Sequence, residues 1–280
     1  MANFGSLATA SPITERRHDM STPIFQLDAF TSRRFAGNPA AVVPVPGFPP
    51  AHVMQAIAAE NNLAETAFIV LTDGGNHIRW FTPTTEVPLC GHATLASAAV
   101  VMERLRPGAD HVVFQSASGP LPVRRTPSGY VMNFPTRPMV RIELLPALRD
   151  ALHVDPIEVF TDPVNYVVRL TSADAVRTIA PDLGAIARLD RAGVIVTAEG
   201  DEGYDFVSRY FAPRKGIPED PVTGGAHCTL APYWAGRLGR TTLRAFQASA
   251  RGGEIDCRVV GDRVELEGRC VFYLQGQIDF

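Results

Sequence analysis

The stretch EVPLCGHATLA (Glu86–Ala96) is written a second time, in altered form, as EDPVTGGAHCTLA (Glu219–Ala231). Both contain Glu-x-Pro-x-x-Gly-x-Ala, a short glycine-bearing turn that leads into a helix-like run. Pro88 and Pro221, Gly91 and Gly224, Ala93 and Ala226 are each separated by 133 residues, as are Arg104 and Arg237, and Leu105 and Leu238. Upstream, RWFTP (Arg79–Pro83) answers RYFAP (Arg209–Pro213), and FIVLT (Phe68–Thr72) resembles GVIVT (Gly193–Thr197). Self-similarity near half the chain length points to a duplicated unit; the repeats of a solenoid would be far shorter.

Each unit reads as mostly antiparallel strands around one helix. FQLDAFTS (Phe25–Ser32) and AAVVPV (Ala40–Val45) carry strand-like β-branched and aromatic residues. Pro49-Pro50 then opens a helix whose Val53, Met54, Ile57 and Ala58 share a face, with Asn61-Asn62 at its end. Strands are expected over Phe68–Thr72 and His77–Phe81. The run Ala93–Met102 is apolar nearly all round and predicts a buried helix. HVVFQSASGPLPVRR (His111–Arg125) and YVMNFP (Tyr130–Pro135) read as a meander. The expected fold is therefore α+β: two pseudo-symmetric domains, each a β-barrel-like sheet around a central buried helix. Residues 1–20 read as a flexible extension. Residues 21–135, completed by a C-terminal strand over 271–280, form the first domain, and 136–270 the second. The two glycine turns begin the two buried helices, and helix N-termini present free N–H groups and positive dipole. Facing one cleft, they would hold a carboxylate.

Composition excludes several function classes. Of the 280 residues, 46% are hydrophobic and 20% charged, the balance of a globular protein. A net charge of −3 with no basic block leaves nucleic acid without an electrostatic footprint. No apolar run approaches the ~18 residues of a membrane span, and the first twenty residues lack a signal peptide's apolar core. Cys90, Cys228, Cys257 and Cys270 are scattered with no Cys-x-x-Cys, which suits reduced thiols in the cytoplasm.

From Ile24 to Gln277 the chain resembles the PhzF-like family of phenazine biosynthesis, within the diaminopimelate epimerase fold superfamily. The likeness rests on DAFTSRRFAGNPAAVV, NLAETAFI, IRWFTPTTEVPLCGHATLA, GIPEDPVTGGAH and GRCVFYLQGQI taken together. It implies two similar domains with the active site between them, a homodimer, and no cofactor. The family's namesake moves a proton between carbons of a dihydro-hydroxyanthranilate. Its glutamate acid/base corresponds to Glu65 in NLAETAF, its histidine after the first glycine to His92, and its second-turn aspartate to Asp220. Asn38 in GNPAAVV falls in a stretch that the resemblance brings near the cleft. Where the family often has serine, this chain has Gly225, which puts the namesake's substrate in doubt more than the chemistry.

Each of these residues also has a plainer reading. A glutamate at a strand start is commonly an exposed loop residue, although a carboxylate walled by apolar groups suits proton shuttling. His92 could simply be satisfied by backbone groups at its turn. Asp220 before Pro221 reads as helix capping, and Asn38 as a turn residue before proline. Cys90 occupies the first of two cysteine positions used by the related racemases and epimerases. The second turn offers no matching thiol: Val222, beside Pro221, carries no proton, and Cys228 lies seven residues past Pro221, ~10 Å along a helix. A zinc site from Cys90, His92, His227 and Cys228 is disfavoured, because adjacent helical residues point ~100° apart; no metal is expected.

The expectation is a cytoplasmic, cofactor-independent isomerase of a small carboxylated metabolite, with no nucleic-acid or membrane partner. Backbone N–H groups near Gly91–His92 and Gly224–Gly225 would hold the carboxylate, with Cys90 alongside, and Glu65 would move the proton with His92 and Asp220. An amino-acid epimerase or dehydratase using Cys90, and a non-catalytic metabolite-binding protein, are the alternatives.

Overall fold

A computed structural model of the chain describes residues 21–280; the expected extension over 1–20 lies outside the described residues. The first half runs β1 (Thr22–Ala29), β2 (Asn38–Pro44), α1 (Ala51–Asn61), β3 (Glu65–Thr72), β4 (Gly75–Phe81), the two-residue β5 (Glu86–Val87), α2 (Gly91–Val100), β6 (His111–Ser116), β7 (Gly119–Arg125) and β8 (Tyr130–Pro135). After β9 (Val140–Ile142) and α3 (Pro146–Leu152) come β10 (Glu158–Thr161), β11 (Asn165–Arg169), α4 (Ala173–Thr178), α5 (Leu183–Arg188), β12 (Gly193–Glu199) and β13 (Phe206–Phe211). The chain closes with α6 (Gly224–Leu238), β14 (Thr242–Gln247), β15 (Gly253–Val260), β16 (Arg263–Gly268) and β17 (Cys270–Ile278). The class is α+β, a mixed sheet with helices.

Pairing follows one order twice. β1 pairs β2 antiparallel, β2 runs parallel to β3, β3 pairs β4 antiparallel, β4 runs parallel to β6, and β6, β7 and β8 form an antiparallel meander. The series β10, β11, β12, β13, β14, β15, β16 repeats those relations step for step. Each parallel pair is bridged by helix, as a parallel crossover requires: α1 between β2 and β3, α2 between β4 and β6, α4 and α5 between β11 and β12, α6 between β13 and β14. β17 pairs antiparallel with β1, and β16 with β8, so the last two strands are both stitched into the first half.

Strand alternation explains the unbroken apolar runs. On β2 and β3, Ala40, Val42, Ala67 and Ile69 face a central core, whereas Ala41, Val43, Phe68 and Val70 face a second core under α1 with Met54 and Ala58. On β12, Ile195 faces the central core, and Val194 and Val196 pack under α3, α4 and α5. Strands covered on both faces have no polar side to display.

The central core holds α2 and α6. Within α2, residues His92 to Val100 are all buried, and small side chains let strands approach from every side. Its hydroxyls turn inward on the helix: Ser97 Oγ donates to the Ala93 carbonyl (2.7 Å) and Thr94 Oγ1 to that of Cys90, so both buried hydroxyls are satisfied. The expected helix over Ala93–Met102 begins two residues earlier and loosens after Val100 into a π-helical turn, Val101–Leu105, closed by Arg106 N–H to the Val101 carbonyl at 2.7 Å.

Candidate functional site

The repeated turns owe their shape to a repeated ion pair. Arg79 grips Glu86 with two hydrogen bonds of 2.7 Å, and Arg209 grips Glu219 with bonds of 2.7 and 3.0 Å. Each arginine sits on the strand before its turn and each glutamate opens the turn, so RWF and RYF belong mechanically to EVP and EDP. A forked guanidinium fixes its carboxylate in a plane as well as at a distance. The second pair is the more buried, and Arg209 also donates to the carbonyls of Val176, Arg177 and Ile179 near the end of α4.

What the turns present differs. α2 starts after Cys90 and α6 after Thr223, in matching extended conformations. Thr223, not Val222, is therefore the counterpart of Cys90. A Cβ at Gly91 would meet only Met132 at 3.9 Å, and one at Gly224 only Leu266 at 3.6 Å, both ordinary contacts. Packing within the protein does not demand glycine at either position.

Parallel β2 and β3 start at the same end of the sheet, with Ala40 opposite Glu65. This brings Asn38, Glu65 and the start of α2 together. Glu65 is the first residue of β3 and is buried, so the exposed-loop reading does not hold. Its Oε2 lies 3.0 Å from His92 Nε2, and neither atom has a well-aligned hydrogen-bond partner among the described residues. His92 Nδ1 lies 3.5 Å from Cys90 Sγ. The imidazole is thus held by side chains, not by backbone groups at the turn.

The second half contributes Asp220. It does not cap α6; that position is Thr223, whose hydroxyl donates to Asp220 Oδ2. Asn38, fully buried, donates from Nδ2 to Asp220 Oδ1 (2.8 Å) and to the Val222 carbonyl (2.9 Å), leaving its own Oδ1 without a partner among the described residues. A bond across the two halves is more than a turn residue before proline would make. Gln247, on β14, closes the loop by donating to the Asp220 carbonyl (2.7 Å) and accepting from Thr223 N–H (2.8 Å). Nothing in its sequence context marks Gln247, which is found only once β14 is in place.

Electrostatics separates the groups. Burial pushes Asp220 up to about 6, with Glu65 adding and His92 opposing. Burial works against charging His92, yet its neighbours Cys90 and Glu65 hold it well above its usual value. Burial pushes the Cys90 thiol up to about 11, leaving it protonated at neutral pH. His227, engaged through Nδ1 with the Thr223 carbonyl at 2.8 Å, is pushed down to about 4 by burial. Buried polar atoms without partners cost ~1–3 kcal/mol each. Here Glu65 Oε2, His92 Nε2 and Asn38 Oδ1 gather where the halves meet. A carboxylate and an imidazole so placed can take a proton from, or give one to, a group brought against them.

Among the described residues, Glu65, Cys90 and His92 are also the one trio of possible metal ligands within 4.8 Å. Cys90 Sγ stands at one nitrogen of the ring and Glu65 Oε2 at the other, so each ring nitrogen already faces a neighbour within the trio. His227 and Cys228 do not join this group. Among the described residues no helix is long and apolar enough to cross a membrane.

Residues 27–276 match the family described as phenazine biosynthesis-like protein, PhzC-PhzF. Two proteins of Pseudomonas aeruginosa, both named uncharacterized isomerases, are 47% and 45% identical to the chain, each across 92% of it and 99% of their own length. A crystal structure of a PhzF-family phenazine biosynthesis protein from Enterococcus faecalis superposes with a TM-score of 0.90 at 43% identity, covering 93% of this chain and 100% of that one.

Proposed function

The chain belongs to the PhzC-PhzF family of phenazine biosynthesis-like proteins, and from that membership we propose that it is an isomerase which shifts a proton on a small carboxylated metabolite. It would need no cofactor, with Glu65 as the acid/base. The names of its relatives place the activity among isomerases; the substrate, the base and the mechanism are our reading. The observation that carries it is the buried Glu65–His92 contact at 3.0 Å, with both facing atoms lacking an aligned partner. In this reading the two halves are pseudo-symmetric domains, and the cleft between them is the active site. Backbone N–H groups at Gly91–His92 and Gly224–Gly225, where packing leaves room, hold the substrate carboxylate. Glu65 removes the acidified C–H proton and returns it to another carbon. His92 steadies the carboxylate of Glu65, and Asp220, tied to Asn38 and Thr223, faces them from the second half.

Uptake of solvent deuterium by candidate carboxylic acids tests this. Glu65→Gln keeps the shape but cannot accept a proton, and loss of general-base catalysis should slow exchange ~100-fold or more. Wild-type exchange rates in Glu65→Gln would refute the assignment.

A further inference from the structure

The serine that the resemblance leads one to expect at position 225 is absent, and the structure shows what uses the space. A Cβ at Gly225 would lie 3.4 Å from Nη1 of Arg137 and 3.8 Å from its Cζ and Nη2. The guanidinium therefore rests directly on the first turn of α6. Its position is built by the backbone. Pro232 lies inside α6 and has no N–H to give the carbonyl of Cys228, four residues earlier. That carbonyl accepts instead from Arg137 N–H at 3.0 Å. A proline break in one helix thus docks the segment following β8 and sets its arginine over the bare glycine.

Among the described residues the Arg137 guanidinium makes no hydrogen bond and no ion pair. A second cation lies within its electrostatic reach: Lys215, whose ammonium donates to Tyr210 Oη (3.2 Å) and meets no carboxylate. The acids nearby are occupied elsewhere. Asp162 accepts from the N–H groups of Val164 (2.7 Å) and Asn165 (2.6 Å) and from the Thr229 hydroxyl (3.1 Å). Asp220 accepts from Asn38 and Thr223, and Glu65 faces His92. The like charge of Arg137 works against that of Lys215, while Asp220, Asp162 and Glu65 favour it without pairing with it directly; an anionic group that meets the two cations would relieve the repulsion.

We infer that Arg137, with Lys215, holds a second anionic group of the substrate, a carboxylate or a phosphate, so that the site selects dianionic acids. The inference rests on the site proposed above and narrows its substrate class. Gly225 leaves the guanidinium against bare helix backbone, without the hydroxyl that a serine would add beside it.

Calorimetric titration of the full chain with butyrate, succinate, glutarate and phosphoglycolate tests it. The dianions should bind about 10- to 100-fold tighter than butyrate, the range of a charge-assisted paired contact. Arg137→Ala should remove that margin while leaving butyrate affinity unchanged, and Arg137→Lys should restore part of it. A tighter grip on phosphoglycolate than on the dicarboxylates identifies the second group as phosphate, and the reverse as carboxylate. A wild-type protein with no preference for dianions, or an Arg137→Ala variant that keeps it, overturns the inference. Glu65→Gln keeps the two ideas apart: it should lose deuterium exchange yet retain the dianion preference. A preference that survives where exchange is never seen would sink the isomerase reading alone.

Discussion

Replacing Asp220 with asparagine should stabilise the protein while impairing the site. The asparagine can still accept from Asn38 Nδ2, and its amide can donate to the Thr223 hydroxyl, the two side-chain contacts Asp220 now makes. What the substitution removes is a carboxylate that burial pushes from 3.8 to about 6. The sign follows from linkage. Between these values the folded state holds a proton that the unfolded chain has released, so stability is full below pH ~4 and falls as pH rises through ~6. A shift of about two units caps the penalty at ~3 kcal/mol at pH 7.5 and ~1 kcal/mol at pH 4.5. Asp220 is half-buried in accessible area, and water screening should roughly halve both figures, to ~1.5 and ~0.5 kcal/mol. Urea unfolding of wild type and Asp220→Asn at the two pH values reads the difference directly. A variant no more stable than wild type at pH 7.5, or a gain that does not shrink toward pH 4.5, would show that Asp220 is not an acid held against its solvation.

Cys90→Ala should retain most deuterium exchange, because a thiol pushed up to about 11 is a poor base at neutral pH; complete loss with an intact fold would transfer the chemistry to an epimerase or dehydratase using that thiol. The two turn-holding arginines should differ in worth. Arg209→Met breaks a more buried pair and three carbonyl contacts and should cost ~3 kcal/mol in urea unfolding. Arg79→Met, at a pair left largely in water, should cost ~1 kcal/mol or less. Equal costs would refute the account of how the turns are held.

What could be read in advance was whatever the chain states locally. Glu65, His92 and the first helix stand in short motifs whose residues act on their neighbours, and the strands of the first half alternate or run apolar according to the number of faces they bury. The three helices between β9 and β12 were not legible, since each spans only six or seven residues, too few to show a period, and each exists because it covers one face of β11 and β12. The Arg–Glu pairs were present in the repeated motifs as letters, but their partnership appears only when strand and turn meet. Arg137 was least legible of all. Its meaning depends on a proline far along the chain that frees a carbonyl, on a glycine that leaves a space, and on carboxylates already taken by other donors. None of these is a signal alone. A motif reports groups that chemistry requires in every copy of a site, whereas a selectivity residue is defined by what its surroundings leave unsatisfied. For that reason the missing serine at 225, a departure from pattern, pointed toward the substrate more usefully than any residue that matched.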